Sequence, residues 1–214
     1  ARLDELAPTL PEGVEVRVFY DRGSLVERAV HTVSKALGEA IVLVLILLAV
    51  FLGNLRAAVT VALILPLAAL ATFILMDAVG MSANLMSLGG LAIAIGMLVD
   101  AAVVVVENVV AHLAESDRRL PRLHVIYRAV REVAGPVSSG ILIIVIVFLP
   151  LLTLEGLEGK LFIPVALTIV FALGASLLLS LTAIPVISSY LLRTVSHEDP
   201  WQVRKLQAVY APTL

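Results

Sequence analysis

Long apolar blocks separated by short polar stretches make up most of this chain, and the spacing inside the first block is helical. Leu25, Val26, Ala29, Val30, Val33 and Leu37 recur at helical intervals, and nothing stronger than Gly38 separates them from the apolar run Ala40–Leu52. Ser24, with Glu27 three positions on, fits a helix-starting capping box. The pattern predicts one helix over 24–52 that begins in water and enters a bilayer. At 1.5 Å per residue it is about 43 Å long, more than the ~30 Å hydrocarbon core. The apolar blocks predict spans over 36–52, 57–76, 85–106, 137–154 and 163–192. Pro66, Pro164 and Pro185 fall inside or beside them and are tolerated in membrane helices, where neighbours satisfy the freed carbonyl. Between the spans lie a tight turn at 53–56, a polar loop at 77–84, a charged connector over 107–136 with an amphipathic helix around His124–Val133, and a short loop at 155–160. Before the first helix, Val14, Val16 and Val18 alternate with Glu15 and Arg17, the period of a short strand. Past the last span, Trp201–Tyr210 suits an interfacial helix.

Composition agrees with a membrane class. The 214 residues are 60% hydrophobic and 15% charged, with a mean hydropathy of +1.06; globular chains carry about 25% charge. The predicted fold is an all-α polytopic bundle of about five transmembrane helices, with a short β segment at the N-terminus. A net charge of −2 without a basic tail gives no reason to expect nucleic acid. The absence of Cys excludes disulfides, thiolate metal sites and a Cys nucleophile. A half-element at each end reads as a piece of a longer protein, whose remainder is then an expected partner along with the lipid bilayer. Arginine placement predicts orientation. Arg118, Arg119, Arg122, Arg128 and Arg131 lie in the connector and Arg193, Arg204 and Lys205 in the tail, whereas 77–84 has no Lys or Arg and 155–160 only Lys160. Positive loops stay inside, so the connector and the C-terminus are expected in the cytoplasm and the N-terminus outside.

The candidate chemistry sits on the third span. Asp100 stands in the middle of an apolar run, where a lipid-facing carboxylate costs about 2.5–3.5 kcal/mol or more. It is too short to reach water from there, so it is expected to face other helices or a water-filled cavity. Glu107 lies seven residues on, on the same face and about 10 Å along the axis. Two such acids suit a proton relay, because burial favours protonation and access to water reverses it. The plainer reading of Glu107 is a residue at the end of the span in headgroup water. The histidines His31, His112, His124 and His197 are scattered through polar segments and are expected to be solvated. Met81, Met86 and Met97 offer thioethers that suit Cu(I) or Ag(I), but Met is also common apolar filler.

These residues resemble the resistance-nodulation-division (RND) efflux pumps, in the heavy-metal-efflux branch. The resemblance is carried by Phe51-Leu52-Gly53-Asn54-Leu55-Arg56, by Ser82-Ala83-Asn84-Leu85-Met86-Ser87-Leu88-Gly89-Gly90, and by Gly96 through Asn108 with Asp100, Glu107 and Asn108 at its end. Gly135-Pro136, Phe148-Leu149-Pro150 and Thr153-Leu154-Glu155-Gly156-Leu157-Glu158-Gly159-Lys160-Leu161-Phe162 extend it along nearly the whole chain. It implies that 1–23 ends a periplasmic porter subdomain, that 24–192 holds the second to sixth membrane helices of the first half, and that 193–214 is cytoplasmic or interfacial. It further implies a homotrimeric proton antiporter of the bacterial inner membrane, a transporter rather than an enzyme and without a cofactor. Such a pump works with a periplasmic adaptor and an outer-membrane channel. By the resemblance, Asp100 matches the family's proton-carrying aspartate and Glu107 the glutamate that follows it; Asn108 receives no role. The cobalt–zinc–cadmium pattern has a further Asp where this chain has Ala94. The copper/silver pattern has Met where this chain has Leu98 and Val105, while Met86 matches it. Proton-driven efflux of a metal cation, Cu(I)/Ag(I)-like with Met86 as a metal ligand, is therefore the expected function. Export of organic compounds and a non-transporting membrane scaffold are the alternatives. An intramembrane aspartyl protease needs two facing Asp, and only Asp100 lies inside a span.

Overall fold

The structure is a computed structural model that describes residues 22–52, 54–116 and 120–192. These residues form helices α1 (Arg22–Leu52), α2 (Leu55–Ala78), α3 (Leu85–Glu115), α4 (Arg122–Phe148) and α5 (Gly156–Leu191), with a 3₁₀ turn at Leu149–Thr153 between the last two. All five α-helices are long and apolar enough to cross a membrane. The expected strand around Val14–Val18 and the expected helix at Trp201–Tyr210 lie outside the described residues.

Helix starts follow local chemistry. The Asn54 side chain accepts from the Arg56 N–H at 3.1 Å and opens α2. Asn84 accepts from the Met86 and Ser87 N–H groups, each at 3.0 Å, while the Ser87 hydroxyl accepts from the Asn84 N–H at 2.9 Å. That reciprocal box satisfies orphan donors at the first turn of α3. The box expected at Ser24 is not the start of α1, which begins two residues earlier at Arg22.

The connector differs most from expectation. Helix α3 runs past the apolar block to Glu115, and α4 is already helical at Arg122. The amphipathic segment and the fourth span are one helix through Pro136. Proline removes one donor and frees the Glu132 carbonyl, but it does not rotate the apolar stripe. Val125, Ile126, Ala129, Val130 and, beyond the proline, Ile141 are all buried on one side, so packing carries the helix across the break. The loop expected at 155–160 shrinks in the same way, because α5 already begins at Gly156. Gly159 is required there, since an added Cβ would collide with the Leu154 carbonyl oxygen.

Helices α3 and α5 form the most extensive pair, α2 also packs on α5, and α1 covers α2 and α3. The close approach needs Gly90: a Cβ at that position would stand 2.8 Å from the Val165 carbonyl oxygen. Deeper along the same seam, the buried Ser176 hydroxyl donates to the Leu98 carbonyl of α3 at 2.9 Å. Around this seam the fully buried side chains include Leu65, Leu91, Leu98, Ile169 and Leu173. Helix α4 packs against α3 and α5 along one side and leaves Leu142, Ile143, Ile146 and Val147 exposed, as a lipid-facing surface requires.

Candidate functional site

Helix α3 is buried on one side and bare on the other. Leu85, Gly89, Ile93, Gly96, Asp100, Val104, Glu107, Ala111 and Glu115 are exposed, and they recur every three or four positions along the whole helix. Between them, Leu88, Leu91, Ala94, Leu98, Ala102, Val105 and Val109 face the core. Asp100 and Glu107 therefore share the exposed stripe of α3.

Asp100 sits on the rim of an open groove of about 340 Å³ between α3 and α4. Met97, Ala101 and Val104 flank it, and Val137, Gly140, Ile141 and Leu173 form the opposite wall. The groove is apolar, and among the described residues no hydrogen bond or ion pair engages the Asp100 or Glu107 carboxylate. A carboxylate on such a surface is not stable against lipid tails. Gly89 and Gly96 leave open space along the stripe, where an added Cβ would meet nothing within 4 Å.

Met86 is half-buried in the first turn of α3. It lies fourteen residues before Asp100, about 21 Å along the axis, so the two do not form one site. No cluster of three or more His, Asp or Glu able to hold a metal occurs among the described residues.

One arrangement escaped the reading of the sequence. Asn108, adjacent to Glu107, donates from Nδ2 to the Ala129 carbonyl of α4 at 2.8 Å. His112, one turn further on, is partly buried rather than solvated: its Nδ1 lies 3.0 Å from the Asn108 carbonyl oxygen and its Nε2 3.0 Å from Glu132 Oε2. His31 and His124 are exposed, as expected. The available signal was the spacing of Asn108 and His112, four apart on a helix that continues past its apolar block and so present to one neighbour.

Five helices long and apolar enough to cross a membrane, one of them carrying Asp100 within its apolar run, make a polytopic membrane bundle. The chain belongs to the AcrB/AcrD/AcrF family, whose model matches residues 1–213, and its relatives place it in the heavy-metal-efflux branch of the RND proteins. It is 47% identical to the cobalt-zinc-cadmium resistance protein CzcA of Cupriavidus metallidurans over 83% of this chain and 17% of that protein. It is 43% identical to protein HelA of Legionella pneumophila over 100% of this chain and 21% of that protein. To the cation efflux system protein CusA of Escherichia coli K12 it is 40% identical, over 90% and 19% respectively. The crystal structure of a heavy metal efflux pump superposes with a TM-score of 0.69 at 39% identity, covering 86% of this chain and 18% of that one. The chain thus spans about a fifth of the length of these relatives.

Proposed function

We propose that this chain is the proton-carrying part of an inner-membrane pump that exports metal cations in exchange for H⁺. The observation that carries the reading is Asp100, mid-span on the bare face of α3, in a chain 40–47% identical to named metal-resistance and cation-efflux proteins. Asp100 takes up a proton from one side of the membrane and releases it to the other as the helices around it rearrange. Glu107, nearer the arginine-rich end, passes that proton between Asp100 and water. The rest of the pump covers the bare stripe and supplies the alternating access. It also supplies a cation to face Asp100; α3 has no Lys or Arg of its own.

The arginines of 118–131 support a cytoplasmic position for the α3–α4 connection and the C-terminal tail, with residues 1–23 in the periplasm as the end of a porter subdomain. The whole pump acts as a homotrimer with a periplasmic adaptor and an outer-membrane channel. A metal cargo is favoured over an organic one by the relatives' names. Those names include cobalt, zinc and cadmium, whereas Ala94 and Met86 favour Cu(I)/Ag(I). The full-length protein in a metal-sensitive host decides between the two sets: protection against silver and copper alone supports the monovalent reading, and protection against cobalt, zinc or cadmium removes it.

The central test is Asp100→Asn in the full-length pump. Amide replaces acid at equal size, so insertion is unchanged while the proton site is lost. Metal-dependent proton flux in proteoliposomes is expected to fall to background; undiminished flux refutes the relay.

A further inference from the structure

We propose that the groove between the arginine-rich ends of α4 and α5 binds an anionic phospholipid, its phosphate on Arg128 and Arg131 and an acyl chain running down the groove toward the bilayer centre. Such a site goes beyond the pump reading and is independent of the Asp100 relay.

The groove holds about 430 Å³, within the roughly 300–1,000 Å³ of sites that take small molecules. Leu123, Tyr127 and Val130 of α4 form one wall, and Leu181, Pro185 and Val186 of α5 the other. Each wall is a stripe at helical spacing. Among the described residues, Arg131 is the one charged side chain in the lining.

Depth sets the chemistry of the occupant. The hydrocarbon core takes about 20 helical residues. Counted back from Thr153, it ends near Ala134 on α4; counted on from Gly156, it ends near Ser176 on α5. The groove starts at that boundary and runs outward, where headgroups replace hydrocarbon. Apolar walls at this level are poorly served by water, and they call for an amphiphile. The exposed Tyr127 suits the same level, since aromatic rings with a polar tip collect at membrane interfaces.

Charge selects an anionic amphiphile. Arg128 and Arg131 lie three positions apart and share one edge of α4. Both are exposed, and among the described residues neither forms an ion pair. Helical side chains lean toward the N-terminus of their own helix, which carries both guanidinium groups away from the core and into the headgroup layer. No carboxylate of either helix competes for them. Glu132 faces α3, where its Oε2 lies 3.0 Å from His112 Nε2. Helix α5 has its charges, Glu158 and Lys160, at the opposite end. Basic pockets between membrane helices are a recurrent form of anionic headgroup site.

A lipid also has an open way in. Leu142 of α4 and Leu178 of α5 are exposed and carry the two faces on into the hydrocarbon depth. The groove is therefore continuous with the lipid-facing surface of α4, and a phospholipid reaches it without displacing any described helix.

The test uses the full-length pump with Val186→Cys as its single cysteine, labelled with bimane and reconstituted in phosphatidylcholine bilayers. Brominated phosphatidylglycerol or brominated phosphatidylcholine is then titrated in, and bromine on an acyl chain quenches the label on contact. Phosphatidylglycerol is expected to quench at a severalfold lower mole fraction than phosphatidylcholine. Arg128→Gln and Arg131→Gln should each reduce that preference about fivefold. The double variant Arg128→Lys/Arg131→Lys should keep most of it, because the charge remains. Ala134→Trp, which fills the lower end of the groove, should abolish the preference with both arginines in place. Equal quenching by the two lipids in the labelled parent overturns the proposal, as does a preference that survives loss of both arginines. A preference unchanged in Ala134→Trp also overturns it, since surface charge alone then attracts the lipid. Absence of quenching by either lipid means that a protein segment covers the groove, and refutes the lipid site. Proton flux enters none of these readouts, so failure of the relay and failure of the lipid site are told apart.

Discussion

Asp100 and Gly90 mark two opposite demands that single residues place on α3. Asp100 is a carboxylate that lipid tails would penalise, and it stands exposed on α3. Gly90 is the reverse case: its value lies in having no side chain, because α5 passes so close that a Cβ would meet the Val165 carbonyl at 2.8 Å. Gly90→Ala is therefore expected to cost about 1–3 kcal/mol through forced separation of the seam. The fraction of full-length protein that stays soluble after heating in detergent measures it. Gly38→Ala is the matched control. An added Cβ there meets nothing within 4 Å, and alanine improves the helix by about 0.5–1 kcal/mol, so the same assay should show no loss. At Asp100 the two demands meet function: Asp100→Asn should leave that thermal curve in place while abolishing proton flux.

Elements in this chain are held by their ends as much as by their faces. Asn54 and Asn84 open α2 and α3 with side-chain bonds to the first-turn N–H groups. The last turn of α5 is closed from outside the helix: the Arg122 guanidinium, at the start of α4, donates to the carbonyls of Ser188 and Ser189. A cation at the negative end of a helix satisfies orphan carbonyls and opposes the dipole. Arg122→Ala is expected to fray α5 beyond Val186 at a cost of about 1 kcal/mol. Faster amide hydrogen exchange confined to residues 186–192 would report it, and exchange unchanged over that stretch would show that the cap contributes nothing. Arg122→Lys should protect partially, since ammonium keeps the charge but not the planar fork. Helix α4 shows why an element is not read from its breakers alone. Pro136 and the charges before it suggested two pieces, but the buried stripe Val125–Ala129–Ile141 runs through both, and burial of that stripe decides the matter.

The molecule as a whole is asymmetric: α5 lies at its centre, α4 presents an apolar outer surface, and α3 presents an apolar surface that carries acids. Those two surfaces look alike by hydropathy and differ in what they are expected to touch. In the intact pump, Val104→Cys on the acid-bearing stripe should resist a lipid-soluble thiol reagent, whereas Ile143→Cys on α4 should react readily. Equal reactivity would mean that the stripe faces lipid and that the covering half is elsewhere. Much of this architecture was legible in the sequence. The run from Ala40 to Leu52 and the blocks around Pro66, Asp100 and Ala172 are apolar over lengths only a membrane accommodates, and backbone groups in lipid must bond within their own segment, so length and hydropathy dictate helices. Asp100 stood out for the same reason, since one charge in an apolar block is a local fact. What the sequence left open depends on which face of a helix meets which neighbour. Periodicity places Asp100, Val104 and Glu107 on one side of α3, but only the packing of α1, α2 and α5 against the other side shows that side to be bare. Likewise His112 and Glu132 lie twenty positions apart on different helices, and a bridge between them exists only because antiparallel packing sets their leaning side chains at one level.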